Sequence, residues 1–105
     1  MISLFADTDF TLSINLADLS NTPITDDELS LVIKTKEGEP LLFDDGSEVG
    51  ELTPTHEDNG VYVVEMTRDM AIQPNQPYWG MLTSTDNSSN ITTFRLEMLG
   101  VRLEV

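Results

Sequence analysis

The chain contains no cysteine. That excludes a disulfide scaffold, a thiol nucleophile and a zinc site built on thiolates. Histidine is nearly absent too: His56 stands alone in an acidic turn, where a surface position is expected rather than a place in a metal cluster or a catalytic triad. Basic residues are few, with 5 Lys and Arg against 19 Asp and Glu, for a formal net charge of -14. Such a surface repels phosphate backbones and anionic membranes, so neither nucleic acid nor membrane is an expected partner. No apolar run approaches the ~20 residues needed to cross a bilayer. The first basic residue is Lys34, which leaves no positively charged start for a secretory leader. A soluble protein made in the cytoplasm is expected. No phosphate-cradling glycine loop is present, and the expectation is a protein that is not an enzyme, with no catalytic, cofactor-binding or metal-binding residue and no cofactor.

What the chain does have is alternation. Its 105 residues are 39% hydrophobic, enough for one domain with a single core. Phe10, Leu12, Ile14 and Leu16 alternate with Thr11, Ser13 and Asn15, the period of a half-buried strand. Leu29, Leu31 and Ile33 repeat the pattern. A turn at Lys36–Pro40 and a short strand at Leu41–Phe43 follow. Asp44-Asp45-Gly46-Ser47-Glu48 crowds three carboxylates into one turn, but the spacing does not match a calcium loop, and a solvated acidic turn is expected. Val49–Thr55 reads as an edge strand, because Pro54 cannot donate to a ladder. Asn59-Gly60 is the sharpest hairpin signal, and Val61–Met66 after it puts Tyr62, Val64 and Met66 on one face. A single helical turn is expected at Arg68–Ala71.

The last third closes the fold with two alternating runs joined by a polar turn. If Tyr78, Gly80 and Leu82 point inward, Trp79 and Met81 point outward. On the partner strand Phe94, Leu96 and Met98 take the inward side, which leaves Thr93, Arg95 and Glu97 outside. Turn signals at short intervals and no amphipathic helix argue for an all-β, immunoglobulin-like antiparallel β-sandwich of about seven strands. Residues 1–105 form this single domain, with 1–9 as an N-terminal arm or edge strand. Its core is expected to contain Phe10, Leu12, Ile14, Leu31, Ile33, Tyr62, Val64, Tyr78, Leu82, Phe94, Leu96 and Leu103. An outward tryptophan and methionine beside an arginine have the composition of an interface anchor. The expected partner interface is therefore Trp79, Met81 and Arg95, with Ile2, Leu4 and Phe5 of the arm docking on a neighbouring subunit.

Gly60, Tyr62 and Met66 in one strand, Tyr78, Thr85 and Asp86 in the next, and Leu99, Gly100, Val101 and Val105 at the end form a pattern. It resembles a family of small phage-encoded immunoglobulin-like proteins, related in style to the N-terminal domains of baseplate upper proteins. Ile33, Gly38 and Leu41 agree with that family in general form. The family's usual glycine in the last hairpin is replaced here by Asn87-Ser88-Ser89-Asn90. The resemblance implies a non-enzymatic structural part of a tailed-phage virion: a tail, baseplate or fibre-adaptor component acting through protein–protein contacts. A capsid decoration protein is the alternative, and a cellular adhesin-like or carbohydrate-binding module a further one. Expected partners are other virion proteins, in a homo-oligomer or a symmetric multi-copy assembly, with localisation in the virion.

Overall fold

The structure is a computed structural model and describes residues 2–102. Eight strands follow one another along the chain: β1 Ile2–Phe5, β2 Phe10–Asn15, β3 Glu28–Thr35, β4 Glu51–Leu52, β5 Thr55–Asp58, β6 Val61–Met66, β7 Pro77–Thr85 and β8 Ile91–Val101. They form two sheets, one in the order β1-β8-β7-β3-β4 and the other in the order β2-β6-β5. With β2, β3, β6, β7 and β8 in the roles of strands B, C, E, F and G, the B–E and C–F–G pairings of the immunoglobulin sandwich are both present. The pairings are antiparallel except β1 with β8, which is parallel.

The core lies where the alternating faces meet. Leu12, Ile14, Leu31, Ile33, Tyr62, Val64, Tyr78 and Leu82 are buried as expected, joined by Leu16, Leu29, Leu41, Met66 and Met98. Phe10 and Leu96 pack against this cluster while partly exposed. The Asn59-Gly60 turn is built as its sequence demands: φ is 46° at Asn59 and 81° at Gly60, the left-handed pair of a two-residue hairpin. Tyr78, near the start of β7, forms a corner: its hydroxyl accepts a 2.8 Å hydrogen bond from the Gln73 backbone N–H. A tyrosine bonded back to the E–F connection in this way is a hallmark of immunoglobulin-like sandwiches.

Four expectations change. First, of an arm or an edge strand, residues 2–5 take the edge strand, and the docking expected of Leu4 falls. β1 pairs from Ile2 with Met98 to Phe5 with Val101, Leu4 is 0% exposed and Phe5 meets Phe10 edge to face at 5.2 Å. Leu4 therefore belongs to the chain's own core and is not offered to a neighbour. Second, Arg68–Ala71 makes a bridged turn, not a helical one. Met70 bridges Phe43 and is buried with Ile72, so the segment plugs one end of the sandwich with side chains that a helix would spread around its axis. Third, Leu41–Phe43 makes isolated bridges rather than a strand. Fourth, Phe94 stands on the inward side opposite Leu82 yet is 38% exposed. β1 covers β8 only from Met98 onward, so the edge at 91–97 has no strand beside it among the described residues. The Leu103 expectation lies outside the described residues.

Gly100 is held by close packing. A side chain there would run into the backbone carbonyl of Gln73, and Gly100 also exchanges backbone hydrogen bonds with the loop, accepting from Asn75 N–H at 2.7 Å and donating to Gln76 at 2.8 Å. The last hairpin turn manages without glycine. Ser89 takes φ 64°, and Asp86 holds the turn by accepting from the N–H groups of Ser88 and Asn90, each at 2.9 Å.

Candidate functional site

Register decides which side chains share the outer face of the larger sheet. Across β3, β7 and β8, Lys34 lies beside Trp79 and Trp79 beside Glu97. In the next row Val32, Met81 and Arg95 stand side by side, with Glu51 of β4 beyond Val32. Ser30, Thr83 and Thr93 make a polar row, and Glu28, Thr85 and Ile91 end the face. The apolar content thus gathers around Trp79, Val32 and Met81, apart from Ile91 at the far end, which is 67% exposed.

The structure brings Trp79, Met81 and Arg95 together as expected. The Arg95 guanidinium lies 3.7 Å from the centroid of the Trp79 ring, a cation–π stack that shields the indole from one side. Met81 is 37% exposed, while Trp79 is half-buried. The indole N–H of Trp79 is closed off from solvent and finds no acceptor among the described residues, which costs about 1–3 kcal/mol for a buried donor. A hollow of about 230 Å³ adjoins the ring, bounded in part by Lys34, Lys36, Gly38, Met81 and Arg95. The two lysines were not singled out in the sequence. Their place beside Trp79 depends on the pairing of β3 with β7, and the alternation of β3 alone only put Lys34 on the outer side.

The opposite end of the same sheet is acidic. Asp26, Asp27 and Glu28 lead into β3, and Asp86 follows β7. Two hydrogen bonds tie these elements: Ser84 Oγ donates to Asp27 Oδ2 at 2.6 Å and Asn87 Nδ2 to Asp26 Oδ2 at 2.7 Å. Backbone N–H donation from Asn90, with its side chain and Ser88 adding to it, holds the Asp86 carboxyl below its ordinary 3.8. A second hollow, of about 530 Å³, lies at this end and is lined by Asp27, Glu28, Glu51, His56 and Tyr62 among others. His56 is exposed; its ring meets Tyr62 at 5.1 Å and its Nε2 accepts from Gly60 N–H at 3.3 Å. Burial pushes the Tyr62 phenol above its ordinary value, and its hydroxyl donates to the Ile24 carbonyl at 3.0 Å.

The acidic turn at Asp44–Glu48 is self-satisfied. Asp45 accepts from both the N–H and the hydroxyl of Ser47, at 2.9 and 2.6 Å, and that hydroxyl bond lowers its pKa most. Ile2 and Phe5 are half-buried beside Leu4 in β1, at the edge of the sheet that carries Trp79.

No family model matches the chain, and no curated protein matches it. Among solved structures it is similar to a candidate glycoside hydrolase from Bacteroides vulgatus, with 11% identity and a TM-score of 0.47. The match spans 96% of this chain and 17% of that one.

Proposed function

We propose that this protein is a non-enzymatic assembly module that docks through the outer face of β3, β7 and β8. The observation that supports this is the cluster of Trp79, Met81 and Arg95: an indole whose N–H has no acceptor among the described residues, stacked under a guanidinium and flanked by an exposed methionine. Aromatic, methionine and arginine side chains are the types enriched at interface centres. The setting we propose is the tailed-phage virion, in a tail, baseplate or fibre-adaptor position, with capsid decoration as the alternative location. That part rests on the sequence resemblance, carried by Gly60, Tyr62, Met66, Tyr78, Asp86 and Gly100.

Mass spectrometry of separately purified heads and tails tests the setting. Recovery with tails is the expected result. Recovery only with heads moves the proposal to decoration, and absence from both overturns the virion setting.

A further inference from the structure

Charge along the larger sheet is sorted by end. The chain carries 5 basic residues, and two of them are engaged elsewhere, Arg68 with Asp9 at 3.3 Å and Arg102 with Asp7 at 3.1 Å. The other three, Lys34, Lys36 and Arg95, gather at the Trp79 end and have no ion pair among the described residues. Glu37 and Glu39 in the neighbouring turn and Glu97 beside Trp79 bring that end close to neutral. The other end has Asp26, Asp27, Glu28 and Asp86 with no basic residue beside them in the sequence. Yet none of Glu37, Glu39 and Glu97 lines the hollow, whose charged lining is Lys34, Lys36 and Arg95 alone, so the sheet has a locally cationic hollow near one end and a carboxylate cluster at the other.

We propose that the occupant of the Trp79 hollow is the acidic end of a second copy of this chain, so that subunits stack head to tail. This rests on the reading of the Trp79 face as a docking surface and names its partner. Charge complementarity selects the second copy, since each subunit displays both halves of the contact. The two ends are far enough apart to act independently. Six residues separate Glu28 from Lys34 along β3, or about 20 Å, more than two screening lengths of about 8 Å at physiological salt. The same screening answers the obvious objection, that molecules of charge -14 repel. The body extends 39, 28 and 19 Å along its principal axes, each more than twice the screening length, so repulsion between the bulk charges of two subunits is screened far more than the pairs in contact. A contact between two different patches is heterologous, so it closes into a ring or continues as a filament.

Sedimentation equilibrium of the full chain up to about 1 mM tests this, a range that reaches weak associations. Wild type is expected to exceed the monomer mass, increasingly with concentration and decreasingly with added salt. Two double variants separate the halves: Lys34→Gln with Lys36→Gln, and Asp26→Asn with Glu28→Gln. Among the described residues, Asp26 accepts one side-chain hydrogen bond, from Asn87, and the other three side chains make none. Each double variant alone should associate at least about tenfold more weakly, the effect of losing a contact worth a single decade in affinity. Mixed in equal amounts, the two should form one-to-one pairs and nothing larger, because each retains only one half of the contact.

A wild type that stays monomeric throughout overturns the self-contact, as does association that grows with salt or a mixture that forms no pairs. Those results leave the docking face itself standing, because its test is particle incorporation of Trp79→Ala. Conversely, a protein that stacks in solution but is found in neither heads nor tails retains the self-contact and loses the virion setting.

Discussion

Arg95 stands one row along the sheet from Trp79, its register partner being Met81, and its guanidinium reaches back to lie 3.7 Å from the indole centroid. An exposed stack of this kind contributes about 0.5–1 kcal/mol, too little to hold the sandwich together and enough to fix the orientation of the ring. Trp79 is the sole tryptophan, so its emission reports this contact alone. Arg95→Ala is expected to shift that emission to the red and raise its quenching by acrylamide, with stability changed by less than about 1 kcal/mol. An unchanged spectrum would mean the stack is not populated.

Leu4 tests the role of the N-terminal strand. It is fully enclosed, and truncation of an enclosed leucine costs about 2–5 kcal/mol. Leu4→Ala should lower the urea midpoint of the isolated protein accordingly. An arm that docks only on a neighbour would show no such loss in the monomer.

The tyrosine corner is expected to contribute about 1 kcal/mol, the net value of a typical intramolecular hydrogen bond. Tyr78→Phe removes the acceptor for Gln73 N–H while keeping the ring in the core. Denaturant unfolding should show that loss. Burial raises the pKa of both Tyr62 and Tyr78 above 10.0, so the stability this represents is complete below that value and lost as pH rises through the folded values. Their phenol absorbance should titrate late and together with alkaline unfolding.

Asp86 behaves in the opposite sense. Its folded pKa is depressed below 3.8, so its contribution is present above the unfolded value and lost as pH falls through the folded one. The stability difference between wild type and Asp86→Ala should be full at neutral pH and shrink below about pH 4. A difference independent of pH would assign the turn to the Ser89 backbone rather than to the carboxylate.

The principal strands of both sheets were legible because their signal is local. Phe10–Leu16, Leu29–Ile33, Val61–Met66 and Tyr78–Leu82 each show period two over enough residues to fix which side is buried, and Asn59-Gly60 fixes a turn chemically. β1 was not legible as a core strand: its partner lies at the far end of the chain, in parallel, and nothing in Ile2–Phe5 announces Met98–Val101. Met70 and Ile72 were missed because they are buried by a loop folding over the end of the sandwich, which has no periodicity to read. Phe94 was placed on the right side of β8, but its exposure depends on where β1 stops. The lysines of the candidate site needed the register between β3 and β7, a relation between strands rather than within one.

The central claim is that Trp79 anchors a docking face rather than the core. The amount of Trp79→Ala protein incorporated into purified particles, measured beside the circular dichroism of the same protein, tests it most directly. Loss of a buried interface aromatic typically costs about 2 kcal/mol or more of binding, so a β-rich, folded variant with incorporation reduced at least about tenfold is expected. A folded variant that incorporates as fully as wild type would contradict the account.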